Sequence, residues 1–513
     1  MKPVNVGAWQ GGSVRNVVLA VVLAAGACAK SQQIVVQQTP PPPPPPVQTV
    51  EPAIPVAPQA ASTTPPELGP PKPLTLPKVV ERTLANGMRV LVVEQHELPL
   101  ADFIMVVKSG SEMDPPHKEG LASLTSALLD EGTTSRSSLQ IADQAAFLGV
   151  DLATASGWDA SRISLHTPTA QLDSALALFS DVALHPAFAA KELERMRKER
   201  LTQILQIKDR GPQIADLAFS SILYGENHPY GRWQMGTESS VKSVTRADLQ
   251  HFYSTHYRPN NATLIVVGDV TPDDVEARMN KLFGAWKRAD VPKAKFTSTP
   301  AIDATTVYLI DKPNAPQSSF RIGSIGVARS TQDFFPLQVM NTILGGAFTS
   351  RLNQNLRETR GYTYGAGSGF AMRQVAGPFT ARAEIVAAKS DSALIQFMKE
   401  LRGIRDTVPA TELAKAKRYL QLQLPSQFET TSDIALGLVP IALYNLPLDY
   451  FNNYAQNIEM VKQADIQRVA EQYVRPDRMA VVIVGDRKAI EQGIRAVNVG
   501  NVQIRDMTGR PIK

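Results

Sequence analysis

The sequence predicts an α+β protein made of two duplicated α/β sandwich domains, each a layer of helices on an antiparallel sheet. Three observations carry this. The chain has 513 residues, room for two or three cores at roughly 100–200 residues each. A long segment recurs: Ser243 to Asp269 ends HYRPNNATLIVVGD, and Met460 to Asp486 ends YVRPDRMAVVIVGD. Within each half, runs of period two alternate with runs of helical period.

The segment from Met1 to Thr75 stands apart from that body. Lys2 and Arg15 precede an apolar run, Val17 to Gly26, of about ten residues, too short to span a bilayer and suited to the h-region of a signal peptide. Small residues follow, then Cys28, the only cysteine, so no disulfide forms within one chain. The run LAAGAC is similar to a bacterial lipobox, with Ala25 where leucine is commoner, and implies cleavage before Cys28 and its lipidation. An ordinary A-x-A cleavage site with an incidental cysteine also fits these residues. Either way residues 1–27 are expected to be a signal peptide. Residues 28–75 include seven consecutive prolines, Pro40 to Pro46. They are expected to be a disordered, polyproline-like tether reaching on the order of 100 Å at full extension. Ala29 after the cysteine, in place of aspartate, points to the periplasmic side of an outer membrane.

In the repeat, Arg258-Pro259 pairs with Arg475-Pro476 and Gly268-Asp269 with Gly485-Asp486, at a constant offset of 217. Val244, Asp248 and Leu249 find Val461, Asp465 and Ile466 at the same offset. Each copy reads as a helix, a proline break and a buried strand closed by Gly-Asp. Thr134-Ser135-Arg136 matches Thr349-Ser350-Arg351 at an offset of 215. Two offsets this close argue for duplication, with domains over residues 76–290 and 300–513 and a linker from Arg288 to Pro300. In the first half, strands are expected at Met88–Glu94 and Asp102–Val107, helices at Leu121–Leu129 and Glu192–Ile207. A hairpin joins Val150–Ala155 to Ser161–Thr167.

Five phrases in order resemble the pitrilysin/insulinase family of zinc metallopeptidases, in its shorter, processing-peptidase-like form. They are LANGMRVLVVEQHELP, GLASLTSALLDEGTTSRS, LYGENHPYGR, HYRPNNATLIVVGDV and GGAFTSRLNQNLRETRGYTYGAGS. The resemblance implies an inverted H-x-x-E-H motif, two histidines one helical turn apart binding zinc with a glutamate as base, and a distant glutamate completing the shell. Laid on Gly120-Leu121-Ala122, those positions are Ser123, Ser126 and Ala127, and ELERMRKERLTQI puts Gln203 in the distant place. None of the four binds zinc well or acts as a base near neutral pH. The chain is therefore expected to hold no metal or other cofactor, with zinc in a partner subunit.

The resemblance also implies that an arginine and a tyrosine of the second half reach a zinc site in trans and hydrogen-bond the substrate carbonyl. Here they are Arg357 and Tyr364, which otherwise read as surface residues of a helix-to-strand turn. Gly345 and Gly346 resemble the glycine-rich stretch that regulatory processing subunits use in handling substrate; they also suit a plain helix-end loop. In active relatives the strand at Leu152, Ala153, Thr154 and Ala155 pairs with the peptide by β-augmentation, although small residues in any strand read alike.

No other catalytic set emerges. None of the seven histidines has a second at i+4 beside a glutamate. His251 and His256 are five apart, about 140° around a helix. His117 reads as a solvated loop residue and His228 as a structural hydrogen-bonder. Ser123 and Ser126 lack a base and orienter and read as helix-surface residues. Lysine and arginine number 53 against 48 acids, a dispersed net charge of +5, which gives a nucleic-acid partner little support.

The expected function is that of an exported, lipid-anchored, non-catalytic subunit forming half of a clamshell with a zinc-bearing subunit of the same family, around a peptide or unfolded polypeptide. Alone it is expected to be inactive. The rival reading is an envelope binding or assembly scaffold with no proteolytic role; a self-sufficient peptidase would need a new site.

Overall fold

A computed structural model describes residues 77–512. The expected signal peptide, Cys28 and the expected proline-rich tether lie outside the described residues.

Two six-stranded sheets organise the body. The first contains β1 (Val80–Thr83), β2 (Arg89–Glu94), β3 (Leu100–Val107), β4 (Asp151–Ser156), β5 (Ser161–Pro168) and β6 (Ala262–Gly268), in the order β1-β2-β6-β3-β5-β4. The second contains β7 (Thr306–Asp311), β8 (Gln317–Ile325), β9 (Ala366–Phe370), β10 (Pro378–Val386), β11 (Ala480–Gly485) and β12 (Asn501–Arg505), in the order β12-β7-β11-β8-β10-β9. The repeat is thus a repeat of topology: β2, β6, β3, β5 and β4 correspond in turn to β7, β11, β8, β10 and β9. Arg89 and Thr306 open equivalent strands, as do Leu100 and Gln317, each pair at the offset seen in the sequence repeat.

The sheets are antiparallel except along β2–β6, β7–β11 and β7–β12, which are parallel. A parallel neighbour needs a long crossover, and between β2 and β6, as between β7 and β11, the chain makes most of its helices first. The two Gly-Asp strands of the repeat, β6 and β11, are buried at every residue. A strand covered on two faces reads as an unbroken apolar run, and ATLIVVG and AVVIVG are such runs.

One face of each sheet packs on helices of its own half. In the first half Phe103, Met105, Ile163 and Val266 meet Leu124, Leu176 and Phe179. The other faces are covered by exchange. Leu91, Val93, Ile104, Val106, Ile265 and Val267 of the first sheet pack on Ile434, Leu438 and Ile441 of the helix Thr431–Tyr444, from the second half. Reciprocally, Ile310, Ala480, Val482 and Val484 of the second sheet pack on Ile214, Ala218 and Phe219 of the helix Gly211–Tyr224, from the first half.

Polar contacts fix each exchanged helix. Buried Asp102 of β3 accepts from Thr431 Oγ1 at 2.5 Å and Ser432 Oγ at 2.6 Å, in the first turn of the incoming helix, where a carboxylate suits the positive end of the dipole. Arg321 of β8 donates to Asp216 Oδ1 at 2.5 Å and to the Pro212 carbonyl at 3.1 Å. Among the described residues no helix is long and apolar enough to cross a membrane.

Candidate functional site

The Leu121–Ala127 helix, which carries three of the four zinc-motif positions, is held at its start by Asp114. The carboxylate accepts the Gly120 N–H at 2.8 Å and the Ala122 N–H at 2.7 Å, satisfying amides that a helix leaves unbonded. Burial pushes the Asp114 carboxyl up to about 8 against those two donors. Gly120 has φ 90°, and a Cβ there would fall 2.8 Å from the Gly236 nitrogen, so glycine alone permits the approach.

Along this helix Ser123 and Ala127 are half-buried and Ser126 is buried. The expectation that Ser123 and Ser126 lie on the helix surface is corrected here. The helix packs on β4 and on the Arg246–His256 helix, so Ser126 faces inward at 1% exposure. Ser123 accepts a hydrogen bond from Arg200 Nη1 at 3.1 Å, and the same nitrogen donates to the Met235 carbonyl at 3.1 Å. Arg200 is buried; burial draws it down to about 10, with Asp114 opposing, so it stays charged near neutral pH. Gln203, half-buried, is three positions further along the same helix, Ala190–Ile207, within one turn of Arg200.

The structure therefore brings the helix of Gln203 onto Ser123 through a guanidinium. At the positions that the resemblance assigns to the zinc ligands stand an alcohol, a methyl and an amide, with a second alcohol at that of the base, in place of imidazoles and carboxylates, and a fixed positive charge already donates to the first of them. The residues present do not fit zinc.

The strand β4 is at the edge of its sheet, bonded to β5 alone. Leu152 is buried, Ala153 exposed, and Thr154 and Ala155 half-buried. The unpaired side of this edge exposes backbone donors and acceptors to a further strand.

In the second half, Gly345 and Gly346 end the widened helical turn Thr342–Gly346. A Cβ on Gly345 would stand 2.3 Å from the Ser368 nitrogen of β9, so this glycine is required by the close approach of its own turn to that strand. Gly346 is exposed. Arg357 lies in the turn Gln354–Thr359, its guanidinium 4.6 Å over the Phe348 ring and 3.4 Å from Glu358. Phe348 is 59% exposed and Tyr364 is 91% exposed. Arg357, Phe348 and Tyr364 thus present a cation and two rings outward from the second half.

The histidines have other employment. His228 Nδ1 accepts the Tyr230 N–H at 3.0 Å, a structural bond. His256 is buried, 3.3 Å from Ser109 Oγ, and burial draws it down to about 4. His117 is exposed, with φ 66°, beside an open cleft of about 860 Å³. Sequence reasoning missed Arg200, although its i, i+3 relation to Gln203 was a usable signal.

Residues 89–237 match the family model described as Insulinase (Peptidase family M16), and residues 243–420 match the model described as Peptidase M16 inactive domain. An uncharacterized zinc protease of Mycobacterium leprae is 29% identical over 56% of this chain and 64% of that protein. The non-peptidase homolog YmxG of Helicobacter pylori is 23% identical over 78% of this chain and 92% of that protein. A crystal structure of a peptidase M16 inactive domain from Pseudomonas fluorescens superposes with a TM-score of 0.75 at 29% identity, covering 79% of this chain and 98% of that one. A protease from Helicobacter pylori superposes at 0.73 with 23% identity, over 80% and 100%, a likeness of fold.

Proposed function

Because the chain belongs to the insulinase family of peptidases, peptidase M16, we propose that it is a non-catalytic member working beside a zinc-bearing subunit of the same family. In this reading the two chains close as a clamshell on a peptide or unfolded polypeptide. The observation that carries it is an opposition within one molecule: a buried arginine occupies the hydrogen-bonding position at the first zinc-motif residue, while Arg357 and Tyr364 face outward. A tyrosine 91% exposed has its hydroxyl free for another molecule.

In the assembled pair, Arg357 supplies fixed charged donors and Tyr364 a neutral one to the substrate carbonyl as negative charge develops on its oxygen. The edge of β4 supplies main-chain donors and acceptors that align the peptide. Zinc belongs to the partner. The name of the Helicobacter pylori non-peptidase homolog supports a non-catalytic reading of this chain. Residues 1–27 direct export, lipidated Cys28 anchors the chain at the periplasmic face of the outer membrane, and residues 28–75 hold the body away from it.

The test is substitution of the outward pair in the two-chain complex. Arg357→Ala or Tyr364→Phe should lower turnover by about 10²–10³, the usual cost of a lost oxyanion donor, with association of the chains unchanged. Unchanged turnover in each variant would leave the scaffold reading instead.

A further inference from the structure

At the end of β4 the hairpin Ser156-Gly157-Trp158 borders a cavity of about 470 Å³ between the two halves. Ala155 and Ser156 line it from the strand; Val439 and Leu443 line it from the exchanged helix, and Met372 and Arg373 from the turn between β9 and β10. Beside aliphatic side chains its walls hold three charged groups: the exposed Arg162 on β5, Asp159 and Arg373.

Arg373 is 9% exposed. Its guanidinium carbon lies 4.1 Å over the Trp158 ring and 4.6 Å over that of Tyr230. Those stacks hold the plane but use none of its N–H groups. Among the described residues Nη1 has no hydrogen-bond partner. The acid nearby is already engaged: Asp159 accepts from the Tyr230 hydroxyl, from the Tyr444 hydroxyl at 3.0 Å and from the Gln374 N–H at 2.8 Å. Asp159 thus serves as the tie between the halves, and the arginine beside it is left without a fork partner. A buried cation without one carries a desolvation cost that a bound anion would offset, and a guanidinium presents paired donors matched to a carboxylate.

We infer that this cavity is a carboxylate site for a peptide paired with β4, with Arg373 as the anchoring cation and the aliphatic walls receiving the adjoining side chain. This rests on the peptide-binding reading above and deepens it by naming the chemistry at one end of the bound strand. The carboxylate is either the peptide's own C-terminus or an aspartate or glutamate side chain.

Fluorescence anisotropy on the full chain separates these outcomes. The probes are a fluorescein-labelled unstructured peptide ending in valine, its C-terminal amide, and the amide with glutamate replacing that valine. The free acid should bind at least tenfold more tightly than the amide if the C-terminus is the ligand; recovery of affinity by the glutamate-bearing amide identifies a side-chain carboxylate. Equal binding of all three overturns the carboxylate site and leaves peptide binding standing. Absence of binding by any of them overturns the peptide-binding reading and the site with it. In Arg373→Met the preference for acid over amide should vanish while amide binding persists; because the wild-type comparison already decides the question, misfolding of this variant would not shelter the inference.

Discussion

Arg200 changes what it would take to rebuild a metal site. Replacing Ser123 and Ala127 by histidine and Ser126 and Gln203 by glutamate restores the donor set in type, but leaves a charged guanidinium that now donates to Ser123 at 3.1 Å. Like charges a few ångströms apart in a buried setting repel strongly. The fourfold variant is therefore expected to bind zinc at least tenfold more weakly than the same variant carrying Arg200→Leu, measured by competition with a chromogenic chelator. Equal affinity would show that the arginine has no bearing on the metal position. The donor loss itself was legible in the sequence, because H-x-x-E-H has a fixed spacing from Gly120. The guanidinium's role was not, because it depends on which face of a second helix meets the first.

His256 gives the residue scale a pH dependence. Burial holds its folded pKa at about 4, below the unfolded value of about 6.5. The unfolded chain then binds the extra proton in this window, so stability rises with pH between them. It is complete above about 6.5 and is lost as pH falls toward 4. Denaturant unfolding of the wild type should lose about 2 kcal/mol more over this range than His256→Gln does. Parallel pH profiles would contradict the assignment.

At the scale of elements, Gly345 separates two roles that its sequence could not. The glycine-rich phrase suggested substrate handling and equally a helix-end loop. The structure adds a steric demand, since a Cβ would stand 2.3 Å from the Ser368 nitrogen. Gly345→Ala should therefore cost about 1–3 kcal/mol of stability through overpacking, read as a lowered denaturation midpoint, whereas Gly346→Ala, at the exposed end of the turn, should cost less. Equal midpoints would mean that the turn yields to the added methyl. The strands around HELPL and the 156–158 hairpin were legible because their residues alternate or form unbroken aliphatic runs. The parallel pairing of β2 with β6 was not, because nothing within either strand states which distant neighbour it takes.

For the whole molecule, the sequence repeat announced two similar halves but not their exchange of helices. The apolar run IALGLVPIALY in the helix Thr431–Tyr444 says that the helix is buried. It cannot say that the sheet burying it lies in the other half of the chain, where Asp102 meets Thr431. This clasp gives the body one frame from which β4 and the Arg357–Tyr364 surface are presented. In the proposed division of labour the chain would offer substrate contacts and donors from that frame while another chain supplies the metal. The most direct test of this division of labour is peptide hydrolysis by the purified chain, alone and mixed with an exported zinc-bearing member of the same family. The expected result is no chelator-sensitive cleavage by the chain alone and strong cleavage by the mixture. Full cleavage by the chain alone, abolished by chelator, would contradict it.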